Sequence, residues 1–271
     1  MFGTKLNYDS RLFLEGEEVS GINTVDFSYS NSTPTINPLG FSDGLTTING
    51  ETRQSFSFTR DLVYKSIVAS GVGGSSSFTG SNNLSGSIHY NGESYGFQSG
   101  YLNNWSINCA VGAPVKETCS FVVYDDMRSG ASASGSATAP SLSIPSQGSI
   151  TATCDNSTTN RVIGFDYAVT CNRKPYYSIG NKSPTEVKFI PPIRVTAAVQ
   201  VEVDDAFMES GRNFLETGKS SRTVSLKVNG RNGGPTLVDA SVPNACLVSE
   251  SLSASSDGSL RLTLNYMGHT S

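Results

Sequence analysis

The sequence predicts a mainly β protein built from two tandem sheet modules, each with at most one short helix, and three observations carry that expectation. Charged residues make up only 15% of the 271 positions while glycine numbers 27, the balance of short strands and tight turns rather than helices. Apolar residues alternate with polar or small ones in run after run, the period of two that turns one face of a strand toward a core. The alternating runs of the first half then recur in the same order in the second.

Taken in order, Arg11 to Glu15 and Val19 to Ser30 read as strands separated by the turn Glu15-Gly16-Glu17, with Val25, Phe27 and Tyr29 sharing a face. After a Pro- and Asn-containing loop ending at Leu39-Gly40, Arg53 to Thr59 alternates Phe56 and Phe58 against Ser55, Ser57 and Thr59. Asp61 to Ala69 reads as a short helix or, because Val and Ile suit strands equally, as more strand. Ser70 to Asn83 is a loop by composition; its glycines do not follow a phosphate-loop or dinucleotide spacing. Ile88-His89-Tyr90 runs into Asn91-Gly92, a two-residue hairpin signal because both residues tolerate positive φ.

The stretch Tyr95 to Tyr124 reads as a complete hairpin. Trp105, Ile107, Cys109 and Val111 share a face, Gly112-Ala113-Pro114 turns the chain, and Val115, Cys119, Phe121 and Val123 return on the same face. Ser129 to Pro145 is Ser, Ala, Gly and Pro without periodicity and marks a boundary, giving a first module at 1–128, a linker at 129–150 and a second module at 151–271.

The repeat is legible as a series of offsets. Phe165, Tyr167 and Val169 follow Val25, Phe27 and Tyr29 at 140 residues; Leu226-Lys227-Val228 follows Ile88-His89-Tyr90 at 138; Cys246-Leu247 follows Tyr101-Leu102 at 145. Val199 and Val201 align with Phe56 and Phe58, and Leu264 and Tyr266 with Phe121 and Val123, both at 143. A helix is expected in the second module around Asp205 to Glu216, where Phe207, Phe214 and Leu215 share a side.

Catalytic signatures are scarce. His89 sits beside a hairpin turn and His269 near the C-terminal end, so neither suggests a supported pocket for a metal or a Ser-His-Asp set. Adjacent acids Glu17-Glu18 and Asp204-Asp205 point to different faces, unlike a pair that shares one proton transfer. No loop has the oxygen density of a calcium site. The expectation is therefore no enzyme, no cofactor and no metal.

A net charge of −4 argues against a surface that holds nucleic-acid phosphates. No apolar run reaches the ~18 residues of a membrane helix, and MFGTKLNYDS lacks the apolar core of a secretory signal. Without such a signal the five Asn-x-Ser/Thr sequons carry little meaning. Five cysteines without a CxxC pair read as free thiols in a reducing cytoplasm, although Cys109 and Cys119 stand on opposite arms of one hairpin, where a cross-strand disulfide is geometrically possible. The single Trp105, in phase with Ile107 and Val111, reads as a core anchor.

One pattern bears on function. Arg194 to Asp204 places Val195, Ala197, Val199, Val201 and Val203 on one face and Thr196, Ala198, Gln200, Glu202 and Asp204 on the other. The first-module strand offers Arg53, Ser55, Ser57, Thr59 and Asp61 in the same way. Both polar faces are neutral to acidic. They suit either an ordinary solvated sheet face or the wall of a channel to which phosphates do not adhere.

In Val25 to Gly40, Arg53 to Asp61 and Phe97 to Tyr124, notably GYLNNWSINCAVGAPVKETCSF, the chain resembles the tail tube proteins of long-tailed bacteriophages. The resemblance covers roughly residues 20 to 125 and, through the repeat, extends more faintly over 160 to 266. It implies a tail-tube-like β-sandwich or rolled sheet in each module. It also implies a structural virion protein of the tail, assembled in the host cytoplasm, whose copies join their sheets into stacked rings around a DNA-conducting lumen. Its partners would be other copies of itself and further tail proteins (tape measure, terminator, baseplate), with DNA passing unbound and no membrane insertion. Two modules per chain imply a pseudo-sixfold trimer. Candidate channel-lining residues are Ser55, Ser57, Thr59, Gln200, Glu202 and Asp204. The N-terminal segment, the loop at 70–83 and the linker at 129–150 are candidates for ring-to-ring contact. A distal-tail or baseplate hub ring and a two-domain receptor-binding β-sandwich are the alternatives.

Overall fold

A computed structural model describes residues 11–31, 35–36, 46–47, 52–66, 83–90, 93–124, 128–129, 142–154, 162–181, 183–203, 222–254 and 259–270. Among these residues the protein is mainly β, with antiparallel strands and no α-helix. The first half contributes β1 (Arg11–Leu14), β2 (Glu17–Val19), β3 (Ile22–Asn31), β4 (Thr35–Ile36), β5 (Thr46–Thr47), β6 (Thr52–Asp61), β7 (Leu84–Tyr90), β8 (Glu93–Ala110), β9 (Lys116–Val123) and β10 (Arg128–Ser129). The second contributes β11 (Ile150–Cys154), β12 (Val162–Tyr176), β13 (Glu186–Glu202), β14 (Arg222–Asn229), β15 (Thr236–Ala254) and β16 (Leu260–Thr270).

Strand order repeats. The first unit runs β1-β7-β8-β9-β6-β3, and the second runs β11-β14-β15-β16-β13-β12 in the same sequence of roles. Two strands have no counterpart among the described residues: β2, added outside β1, and β10, paired with the start of β8. Bulges repeat as well. One interrupts β3 at Asn23 and β12 at Ile163, another β8 at Asn103 and β15 at Val248, and a third lies between Phe97 and Gly100 in β8 and between Val242 and Ala245 in β15. Because a bulge locally breaks the ladder and bends its strand, shared bulges fix equivalences more firmly than shared apolarity does.

They set β3 to β12 at 140 residues and β8 to β15 at 145, as the alternation predicts. Following the registers inward from both anchors gives one consistent answer for the central strands: Phe58 corresponds to Val199 and Phe121 to Tyr266. The alignment of Phe56 with Val199 and of Phe121 with Leu264 is thus displaced by two. A shift of two keeps every side chain on its face, so periodicity alone could not detect it.

Each unit folds its sheet back on itself. Strand β11 is three strands from β16, roughly 14 Å away in a flat sheet. Yet Cys154 Sγ lies 3.0 Å from the Tyr266 hydroxyl. In the first unit Phe97 meets Phe56 with ring centroids 5.2 Å apart, although it is five positions along β8 from the residue level with Phe56. The long strands β8 and β15 therefore each serve two layers, pairing with β7 or β14 early and with β9 or β16 late. Leu12, Leu14, Leu84 and Phe97 close over Phe56, Phe58, Leu102 and Phe121 in one continuous core. Each such side chain contributes roughly 1.5–3 kcal/mol by burial.

Some local expectations change. The strand read as Val19 to Ser30 breaks at Gly21, whose φ of +81° suits a residue without Cβ. No helix forms over Leu62–Ser66, because the backbone is used elsewhere: Leu62 N–H donates to Val115 O at 2.8 Å and Ser66 N–H to Leu237 O at 3.1 Å. The remainder of that stretch, the helix at 205–216 and the loop at 70–83 fall outside the described residues, save Asn83 and the strand end at 61. The hairpin of β8 and β9 forms as read, with Gly112 at φ +79° in its turn, although Val111 is exposed. Cys119 stands opposite Trp105, so Cys109 and Cys119 are not cross-strand partners, and all five thiols are free. Tyr90 pairs with Glu93, the register that a two-residue hairpin requires, while Asn91 and Gly92 lie outside the described residues.

Candidate assembly surface

The two units are fused by a strand pair. One edge of β8 carries β7 along its first half and β12 along its second, in a register running from Asn104 opposite Thr170 to Ala110 opposite Gly164. An uninterrupted eight-stranded antiparallel sheet results, in the order β3-β6-β9-β8-β12-β13-β16-β15.

On the inner face of this seam Ile107 stands opposite Tyr167, and the Tyr167 ring meets Trp105 edge-on at 5.5 Å; such a ring pair adds ~0.5–1.5 kcal/mol. The Tyr167 hydroxyl donates to Ser241 O at 3.0 Å, tying the seam to the outer layer. On the opposite face the Asn108 amide donates to the Asp166 carboxylate across the same seam. Beyond it, Arg173 reaches back, donating from Nε to Leu102 O at 3.3 Å with its guanidinium 5.4 Å from the Tyr101 ring centre.

Behind Trp105 lies a buried ion pair. Arg60 Nε donates to Glu117 Oε2 at 2.5 Å, and Glu117 Oε1 accepts from Trp105 Nε1 at 2.7 Å and from the Ser66 hydroxyl. Arg60 spends its other nitrogens on Ser20 O and Lys65 O, both at 3.3 Å. This saturation lets a fully buried pair persist. The second unit has Val201 opposite Leu262 at the equivalent position, an apolar replacement of the whole pair. Both charges could have been located from parity, since Arg60 is in phase with Phe56 and Phe58, and Glu117 with Cys119 and Phe121.

The polar face of the eight-stranded sheet holds the residues predicted as channel lining. Ser55, Ser57 and Thr59 lie half-buried on β6, Glu202 half-buried and Gln200 exposed on β13, while Asp204 lies outside the described residues. Hydroxyls link across strands on this face: Ser28 with Ser55 at 2.6 Å and Thr59 with Thr118 at 3.2 Å. Glu202 stands opposite Arg261 and Asp61 opposite Lys116, so the acidic groups read from single strands face cations on the neighbouring strand. The small residues Ser106, Ala168 and Ala198 leave a shallow depression of about 390 Å³ at the seam.

Both ends of the sheet are strand edges. β3 pairs only with β6, and the last part of β15 only with β16, among the described residues. Phe27 and Tyr29 are 36% and 63% exposed on the first edge, and Leu252 is 49% exposed on the second. Their counterparts in the seam, Tyr167, Val169 and Ile107, are exposed by 3% or less.

A second cavity, about 330 Å³, lies between the layers under the end of β8, lined by Cys109, Ile150, Ala152, Val162, Phe165 and Leu226. Burial pushes the Cys109 thiol up to about 12, with Asp166 adding to the shift, which keeps it protonated and a poor nucleophile. No protein-family model matches this chain, and no curated protein matches its sequence.

Proposed function

We propose that this protein is a structural subunit that builds a tube, in the manner of the phage tail tube proteins it resembles. The observation carrying the reading is the eight-stranded sheet with two open ends. Its interior seam already joins the last inner strand of one unit to the first inner strand of another. Repeating that join between copies is a head-to-tail contact, and a head-to-tail contact whose rotation divides a full turn closes into a ring. Two equivalent units per chain then make a trimer a pseudo-sixfold ring, and stacked rings make a hollow tube of a virion tail.

The hydroxyl-rich, charge-compensated face becomes the lumen wall. Each phosphate contact made there would have to be broken as DNA moves, so a hydroxyl-rich surface on which Arg261 and Lys116 stand opposite Glu202 and Asp61 suits passage without binding. Open strand edges that would otherwise template aggregation become the joints of the assembly.

Negative-stain electron microscopy of the concentrated protein tests the reading. Rings or tubes with a central channel are expected, and monomers at high concentration would refute it. In tubes loaded into virions, Glu202→Lys is expected to leave assembly intact and slow DNA exit. Unchanged exit kinetics would remove Glu202 from the lumen.

A further inference from the structure

We propose that the free edge of β15 in one copy pairs antiparallel with the free edge of β3 in the next, in a register that sets Leu252 opposite Phe27 and Glu250 opposite Tyr29. This rests on the ring reading and specifies its joint residue by residue.

The register follows from superposing the seam on the free edges. In the seam Trp105 faces Val169, Ser106 faces Ala168, Ile107 faces Tyr167 and Asn108 faces Asp166. The shared bulges carry β8 onto β15 at 145 residues and β12 onto β3 at 140. Ile107 opposite Tyr167 becomes Leu252 opposite Phe27, again an aliphatic side chain against an aromatic ring. Ser106 opposite Ala168 becomes Ser251 opposite Ser28. Asn108 opposite Asp166, the pair bonded across the seam, becomes Ser253 opposite Asp26, which keeps the carboxylate and a side-chain donor facing it.

Two observations point to this occupant independently of the superposition. Leu252 and Phe27, exposed on the two edges, are brought together by this register, and each loses its water in the joint. At the remaining position Trp105 and Val169 are replaced by Glu250 and Tyr29. Glu250 Oε2 is buried without a hydrogen-bond partner in the single chain, and Tyr29 presents a phenol on an exposed strand. Opposite one another, the Tyr29 hydroxyl donates to the Glu250 carboxylate and satisfies it.

Disulfide trapping on the full chain tests the register. With Cys246, the exposed thiol, replaced by Ala, Ser28→Cys and Ser251→Cys are introduced together. Directly opposite residues bring their Cα atoms within the ~4.4–6.8 Å that a disulfide spans, whereas a shift of two does not. Oxidation is expected to give a covalent ladder of dimer and higher species on a non-reducing gel. The shifted pair Ser30→Cys with Ser251→Cys is expected to give less than a tenth as much. Equal or greater linking by the shifted pair overturns the register, as does an absence of linking in samples where microscopy shows rings. In-register linking without rings or tubes would leave the joint standing and overturn the tube reading.

Discussion

The seam between β8 and β12 and the two free edges are the same piece of architecture in two conditions. In the seam a strand that ends one unit's inner sheet meets the strand that begins the next, and Ile107, Trp105 and Tyr167 are sealed between them. At the free edges the equivalent strands carry the same alternation, yet Leu252, Phe27 and Tyr29 remain in water. Apart from Glu250, which stands where the seam has Trp105, the inward residues are apolar or aromatic in both places, and the main difference is whether a partner strand has arrived. A surface built like a core and left open is a surface with an expected occupant.

The seam also contains what the edges lack. Arg60 and Glu117 sit behind it, and the second unit manages with Val201 and Leu262. Glu117→Leu alone is the most damaging change: it strands the Arg60 guanidinium and removes the acceptor of Trp105 Nε1, for an expected loss of ~3–5 kcal/mol in urea unfolding. Adding Arg60→Val, which copies the second unit, is expected to recover more than half of that loss. If the double variant is as unstable as the single one, the two units are less interchangeable than their registers suggest.

Next in size is a paired test at equivalent positions. Ile107→Ala is expected to cost ~2–5 kcal/mol because it opens a cavity in a closed seam. Leu252→Ala is expected to change the stability of the isolated chain by about 0.5 kcal/mol or less. It should nevertheless raise the concentration needed for assembly at least tenfold, read by light scattering. An unchanged assembly threshold would separate the edge from the seam.

How much of this was legible beforehand depended on whether the signal was local. Alternation located most strands, the pairing of Tyr90 with Glu93 and the hairpin of Tyr95 to Tyr124, because period and turn chemistry act within a few residues. The repeat was legible at three offsets, but Phe58 and Phe121 were matched two residues away from their true equivalents, since period two is blind to a shift of two. Non-local pairing was invisible. Nothing in the run from Asn104 to Ala110 names Gly164 to Thr170 as its partner. Leu62 to Ser66 lost its helical reading to backbone bonds with Val115 and Leu237, which are far away in the chain. For the site, Ser55, Ser57, Thr59, Gln200 and Glu202 were placed on the correct polar face, and the carboxylate of Glu202 was missing only its cross-strand neighbour Arg261.

Smaller effects refine the comparison. Tyr167→Phe removes one hydrogen bond, to Ser241 O, and keeps the ring against Trp105; a loss of ~0.5–1.5 kcal/mol is expected. A larger loss would mean that the bond to the outer layer, rather than the ring contact, holds the seam.

The alkaline response is smaller still. The folded Cys109 thiol titrates near 12 against an ordinary 9.0. The unfolded chain therefore gives up this proton first, and the contribution of Cys109, complete below pH 9.0, declines as pH rises toward 12. Cys109→Ala should flatten that part of the stability profile, and an unaltered slope would assign it to other groups.

Hydrogen exchange compared between monomer and assembled protein tests the central claim most directly. The account predicts that outward-pointing amides of Thr24 to Ser30 and Ser249 to Ala254 exchange freely in the monomer and slow by at least a hundredfold on assembly. Amides of Asn104 to Ala110 and Gly164 to Thr170 should be protected in both states. Assembly that leaves both edges exchanging freely, or that protects only one of them, would contradict it.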